Sequence, residues 1–596
     1  MSARHPLSIV MMCHARTMIA FMLVIGSAAC PPPAKSNDPS LQTLIISDAT
    51  LSPAFTPETM VYTAAVGLCL QTVTISATAA DPKAQIRVNG TAVTSGMPSP
   101  LPRLTPGMNT VTVEVTASSG ARRIYTIMVL AGGSTYVKAS NTGADDFFGG
   151  VGRVAISGDT LAVGAPGESS SAIGIDGNQA DNSKPGSGAV YIFIRSGNGW
   201  AQQAYIKASN PDAGDGFGVS VALSGDTLIV GAPGESSGSS GVGGDQTSNV
   251  ASSSGAAYVF VRTGTTWTQQ AYIKSPDPDT DDQFGTSVAV DGNTLAVGAR
   301  WESSSATGIN GDIFNNSLQQ SGAAYVYVRS GTTWSLQAYV KASNTGAGDE
   351  FGDSIALSGD TLAVGAPVES SAATGIGGSQ TDDTAPGSGA VYIFTRSGTT
   401  WSQQAYIKAS NTGQYDHFGA SIALSRDTLA VGAGDESSNA RGIGGNGNDD
   451  SAPSSGAVYI FTRSGSVWSQ QAYIKASNAE QGDSFGSSVA LDGDRLLVGA
   501  PSEDSTATGE GGNQADNGAR NSGAAYLFTR SATTWSQRGY LKASNTGAND
   551  GFGASVALSG TTLAIGSPQE ASSATGIGGN QADNSAANSG AVYVCP

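Results

Sequence analysis

From residue 134 onward the apolar positions keep one rhythm. In the copy at 349–367, "DEFGDSIALSGDTLAVGAP", a run of mixed apolar and polar positions meets the tight turn "SGDT" and then the almost wholly apolar "TLAVGAP". Alternation marks a strand with one wetted face, and an unbroken apolar run a strand covered on both. The unit continues with "GAVYIFTRSG", the turn "SGTT" and "WSQQAYIKAS". Four short antiparallel strands per unit are predicted.

The glycine of "FG" recurs at Gly149, Gly218, Gly285, Gly352, Gly419, Gly486 and Gly553, with a spacing of 67 residues from Gly218 onward. Trp200, Trp267, Trp334, Trp401, Trp468 and Trp535 keep the same period. A fixed period of this length means that each unit buries its faces only against its neighbours. The seventh copy reaches "GAVYVCP" (590–596), its third strand, whereas "STYVKASN" (134–141) matches the fourth strand of the other copies. The expected fold is therefore all-β: a seven-bladed β-propeller over 134–596, closed by a strand at 135–140 pairing with 591–595, which removes the exposed edges of an open array. Residues 41–132 alternate with period two in "TVTISATA", "NTVTVEVTA" and "RIYTIMVL", separated by turn signals, and predict a small β-sandwich.

These runs carry two resemblances. "FG…VALSGDTLAVGAP" resembles the FG-GAP repeat of the integrin α-subunit head, which implies the same propeller class. "LSPAFTPETMVYTAAV" followed by "LTPGMNTVTVEVTASSGARRIYTIMV" is similar to the bacterial cadherin-like β-sandwich, a family that implies a spacer or adhesion unit. Upstream, Arg4, His5, His14 and Arg16 precede the apolar run "MIAFMLVIGSAA" (18–29), too short for a comfortable membrane span. "GSAAC" resembles a bacterial lipoprotein signal, implying lipidation at Cys30. Ser27 stands where that signal usually has Leu, so ordinary secretory cleavage nearby is the alternative. The reading is a signal peptide over 1–29, a tether over 30–40 and an exported protein of the cell envelope. An outer-membrane lipoprotein or a cell-surface location is expected, with Pro31 after the Cys favouring the outer membrane. Cys69 and Cys595 lie in different segments, and their pairing is left open.

Composition narrows the partners. The formal charge of −18 argues against nucleic acid and against an anionic membrane surface. Contact with the membrane is expected through the lipid anchor only. After signal removal His417 is the one remaining histidine, so a Ser–His–Asp arrangement or a His/Cys zinc site has almost nothing to build on. It reads as a loop substitution. No phosphate loop or dinucleotide fingerprint appears, and no catalytic residue is assigned.

The acids concentrate in the loops after strands two and four, which strand alternation places on one face of the disc. Glu168, Glu235, Glu302, Glu369, Glu436, Glu503 and Glu570 recur after strand two, and Asp146, Asp215, Asp282, Asp349, Asp416, Asp483 and Asp550 before "FG". A residue present in every copy suits blade geometry better than a single site. Loop hydrogen bonds, or pairing with the repeated Lys of "YIKAS", are expected. Asp176, Asn178 and Asp181 in one long loop, and Asp277, Asp279 and Asp281 in "DPDTDD", supply oxygen donors of the kind calcium takes. The D-x-D/N-x-D-G loop of integrin repeats lies between strands one and two, where this chain has only "SGDT", so the family's ligands do not carry over. The functional expectation is a surface binding or adhesion protein that meets a protein or glycan partner through the long-looped acidic face. Two alternatives stay open: a carboxylate-dependent glycan hydrolase or lyase, and a multivalent lectin with sites between blades.

Overall fold

The computed structural model describes residues 37–47, 49–67, 73–101, 104, 107–132, 134–197 and 199–595. The signal segment, Cys30, most of the tether and Cys69 lie outside the described residues. Among those described the secondary structure is all β.

The N-terminal unit is a sandwich of a three-stranded sheet (Leu41–Ile46, Thr74–Ala79, Pro98–Pro100) and a five-stranded one. Alternate residues of each strand point inward, so that Thr74–Ala79 buries Ile75, Ala77 and Ala79 and leaves the others half-exposed. Tyr62, Val113, Tyr125 and Ile127 complete the core. The Tyr125 hydroxyl accepts the Leu41 N–H at 2.9 Å and donates to the Pro57 carbonyl at 3.0 Å, so the phenol is buried with its polar tip satisfied.

The remainder forms seven four-stranded antiparallel sheets, numbered here as blades in chain order. Blade 4 is typical: Ser354–Ser358, Thr361–Ala366, Ala390–Ser397 and Thr400–Ile407, running from the inside outward. Its second strand is buried at every position, as the unbroken apolar run predicts. Inner strands of consecutive blades touch one another, and Val154–Ser157 of blade 1 touches Ser555–Ser559 of blade 7, so the array is propeller-like and closed.

The repeated "FG" and "VGA" glycines account for the blade-to-blade contact. Gly352 takes φ 96°, and its carbonyl turns onto Gly298 of the preceding blade, where a Cβ would run into it. Ser287 donates to that carbonyl at 2.6 Å. Beside it Phe351 packs edge-on against Tyr392, with ring centroids 5.3 Å apart, and Trp401 donates from Nε1 to Gln337 Oε1 of blade 3 at 2.8 Å. All six periodic Trp side chains are buried. The same joint closes the ring, because Ser555 of blade 7 donates to the Gly149 carbonyl of blade 1 at 2.8 Å.

Blade 7 draws its outer strand from the other end of the array. Thr135–Val137 pairs antiparallel with Ala591–Cys595, in the register Val592↔Val137, Tyr593↔Tyr136 and Val594↔Thr135. The strand is shorter than the expected 135–140. At Lys138 the chain leaves the ladder: its N–H donates to the Gly576 carbonyl and its ammonium turns inward. The fourth strands of the other blades end just before the equivalent Lys, for the same reason. Cys595 is disulfide-bonded, and the other three cysteines lie outside the described residues.

Candidate functional site

The repeated acids belong to the scaffold. In blade 4 the Lys408 ammonium lies 2.7 Å from Glu369 Oε2 and donates to Ser388 Oγ at 2.7 Å. Glu369 Oε1 accepts from the Tyr406 hydroxyl and from Asn344 Nδ2 of the preceding blade, each at 2.9 Å. One carboxylate thus fastens both long loops and the neighbouring blade. The ion pair recurs as Lys207–Glu168, Lys274–Glu235, Lys341–Glu302, Lys475–Glu436, Lys542–Glu503 and, across the closure, Lys138–Glu570, with no side chain more than 4% exposed. Burial pushes each ammonium below the usual lysine range, against the pull of its Glu.

The Asp before each "FG" does a local job. Asp349 Oδ2 accepts the Gly346 N–H at 2.8 Å, and the other six Asp residues accept the equivalent N–H. Burial pushes Asp349 up to about 7, although that N–H favours the charged form. Both repeated series therefore make the loop and pairing contacts that the sequence suggests.

The suggested calcium donors are spent differently. Asp176 Oδ1 accepts the Tyr205 N–H at 2.9 Å, Asn178 Oδ1 accepts from Ala180 N–H, and Asp181 accepts from Ser171 and Ser183. Asp277 stands where the other blades have the Asn that donates to the buried Glu. Burial, Asp279 and Glu302 push its carboxyl up. Asp279 accepts from Asn316, and Asp281 sits in a left-handed turn whose N–H donates to the Ser252 carbonyl. Among the described residues no group of three or more His, Cys, Asp or Glu assembles as a metal site.

Several departures from the seven-fold pattern gather in one place. Two short stretches, the residues flanking each "FG" and the two that follow each "VGA", lie at the loop-side end of the inner strands. In blades 2, 6 and 7 they are mostly small and uncharged, as at Gly216, Gly234, Ser484, Ser487, Gly551 and Ala554. Blades 3 to 5 instead carry Gln283, Arg300, Trp301, Glu350, Asp353, His417 and Asp435; Arg300 and Trp301 of blade 3 reach blade 4, and His417 and Asp435 pair within blade 5. Arg300 Nε donates to Gln283 Oε1 at 2.9 Å, and its Nη1 lies 3.3 Å from Asp353 Oδ1 of blade 4. The guanidinium stacks 4.9 Å from the Trp301 ring centroid, while Trp301 Nε1 donates to Glu350 Oε1 at 3.3 Å. In blade 5, His417 Nδ1 donates to Asp435 Oδ2 at 2.8 Å, and both His417 and Tyr415 lie against Gly387. Burial pushes Asp353 up against the pull of Arg300, and the Asp435 bond raises His417. Of these residues His417 alone stands out in the sequence analysis above, as a loop substitution. The signal of this crescent was available as departures from the repeat, since six Trp are periodic and Trp301 is not.

A closed array of four-stranded sheets with "FG" and "VGA" joints defines a repeat propeller. The chain belongs to the FG-GAP repeat family, whose profile matches residues 200–260, 267–327, 334–394, 401–461, 468–528 and 535–595, together more than half of the sequence. A cadherin-like beta sandwich domain matches residues 46–130. A protein of Evansella cellulosilytica, provisionally described as a membrane protein, is 32% identical over 95 residues, which is 16% of this chain and 14% of that protein. The chain therefore aligns with only a small part of that relative's length. Among solved structures, a quinonprotein alcohol dehydrogenase-like protein of Bacteroides thetaiotaomicron is 10% identical with a TM-score of 0.31, over 83% of this chain and 98% of that one. The SGBP-B protein of a Bacteroides ovatus mixed-linkage glucan utilization locus, solved with a heptasaccharide, is 13% identical with a TM-score of 0.10, over 50% and 70% of the two chains. Likeness at this level says nothing about the site.

Proposed function

We propose that this is an exported, lipid-anchored cell-surface protein that binds a protein or glycan partner through the long-looped face of its propeller. One observation carries the reading. Seven buried Lys–Glu pairs hold the long loops in place, while a group of residues that depart from the repeat sits together as a patch at the loop-side end of blades 3 to 5. Rigid scaffolds that present variable loops are a general design for recognition. The FG-GAP family fits a binding or adhesion role. The sandwich would act as a spacer between anchor and propeller.

The test is capture from envelope extracts by the full chain, with and without EDTA, against the His417→Ala and Trp301→Leu variants. Specific capture lost in both variants supports the reading, and capture indifferent to both removes the patch from it. Sensitivity to EDTA would support bound calcium, for which Asp176, Asn178, Asp181, Asp277, Asp279 and Asp281 are the candidate ligands. Mass spectrometry of the mature N-terminus tests the anchor, with diacylated or triacylated Cys30 expected. A second reading, a glycan-active enzyme, draws on the His417–Asp435 pair, since a carboxylate that orients an imidazole is a common way to position a general base. Turnover of a polysaccharide abolished by His417→Ala would favour it.

A further inference from the structure

We infer that the crescent of blades 3 to 5 is a subsite for a neutral glycan, bound through its hydroxyl groups and an apolar ring face. The inference rests on the binding reading above and names its ligand class.

Charge decides against an anionic ligand. Arg300 is compensated by Asp353 at 3.3 Å and His417 by Asp435 at 2.8 Å. The remaining carboxylate, Glu350, already accepts from the Trp301 indole. An anionic ligand would have to take Arg300 or His417 from its carboxylate and leave that carboxylate half-buried and uncompensated, which costs more than a new surface pair returns. A neutral polyol breaks none. Each paired group keeps capacity for more hydrogen bonds: a carboxylate accepts at about four lone-pair positions, a guanidinium has five N–H donors, and imidazole has a second nitrogen. The cluster thus offers donors and acceptors side by side, fixed in direction by their mutual bonds, which suits hydroxyls that both give and accept.

Trp301 supplies the apolar part. It is held by its N–H and by the guanidinium stacked on one face, and it stays partly exposed. Tyr415, 60% exposed beside His417, adds a second aromatic. Aromatic rings with polar edges, locked before binding, bury large area at little entropic cost.

The experiment probes the intact chain on an array of neutral oligosaccharides, uronic-acid oligosaccharides and a Lys-rich peptide, then measures the strongest binder by calorimetry. Trp301→Leu and His417→Ala are compared with Phe314→Ser, an exposed aromatic of the same face outside the crescent. Melting curves establish that each variant is folded. The expected result is binding of a neutral oligosaccharide, weakened roughly ten-fold or more by Trp301→Leu and unchanged in Phe314→Ser. Binding confined to the uronates or the peptide overturns the ligand class. A neutral glycan held equally by every variant overturns the site and leaves the binding reading intact. If no glycan binds but an envelope protein is captured in a Trp301-dependent way, the glycan class falls and the binding reading stands. Capture of neither kind defeats both.

Discussion

Lys408→Met removes one ammonium from the buried network of blade 4 and keeps nearly the same side-chain length. In the native protein the two side chains are 0% and 1% exposed and 2.7 Å apart. The variant leaves Glu369 with the Tyr406 hydroxyl and the Asn344 amide as donors, but with no cation in contact with it. Breaking a buried pair from one side costs about 3–5 kcal/mol, because the orphaned charge stays desolvated. The exposed pair Arg396–Asp360 has the carboxylate 66% exposed, and Asp360→Ala should cost only about 0–1 kcal/mol. The double variant Lys408→Met/Glu369→Gln should recover much of the loss, because an amide still accepts from Tyr406 and needs no counter-charge. All seven Trp lie between positions 200 and 535, so tryptophan fluorescence during urea unfolding reports the propeller alone, with the sandwich in place. The slope of the transition must stay the same for the midpoints to be compared as stability. If Lys408→Met unfolds within about 0.5 kcal/mol of the parent, as an ordinary surface change would, the buried pairs do not hold the loops and the reasoning fails.

Trp401→Ala should cost about 3–5 kcal/mol, since Trp401 is 3% exposed between blades; a stable variant with lost binding would place that residue in a site instead. A chain starting at residue 134 should be monomeric, whereas one starting at 142 loses the Thr135–Val137 strand and the Lys138–Glu570 pair and should aggregate or exchange strands; equal light-scattering masses for the two would contradict closure. The Asp residues before "FG" bear on pH: burial pushes Asp146, Asp215, Asp349, Asp416 and Asp483 up to about 7 and Asp282 to about 8. The folded state then holds protons that the unfolded chain has released, so this contribution is greatest below the ordinary carboxylate range and is lost as pH rises through about 7 to 8. Urea midpoints should fall between pH 5 and 8, less steeply in Asp349→Asn, and an unchanged slope in that variant would remove Asp349 from the account.

Much of the fold was legible because a repeat is self-annotating: each strand is seen seven times, and an acid found in every copy announces a structural duty. The buried Glu369–Lys408 pair could be anticipated on that ground. The inner end of the closing strand could not, because only the burial of Lys138 shows that the ladder stops at Val137. The crescent was hidden for a different reason. His417 and Asp435 are 18 positions apart and Arg300 and Asp353 are 53 apart, and each looks like a tolerated change when read alone. Their meaning appears only in the fold, where the first two strands of blade 5 bring His417 to Asp435 and the joint between blades 3 and 4 brings Arg300 to Asp353, so that two departures turn out to be each other's partners. The spacing of Asp277, Asp279 and Asp281 suggests a cation, while in the fold Asp279 accepts from Asn316 and the Asp281 N–H donates to the Ser252 carbonyl.

Joining Thr135–Val137 to Ala591–Cys595 also sets a timetable. Lys138 and Ser589 meet across 451 residues of sequence, so the first part of the propeller to emerge during synthesis waits for one of the last. Such a long closure is slow, and blades 1 to 6 must stay soluble meanwhile with both ends of the array unmatched. The buried pair of each blade, complete within that blade, gives them a reason to hold. A chain cut short in translation, however well its blades form, keeps a naked strand edge. The closure therefore ties the coverage of one strand edge to segments at opposite ends of the array.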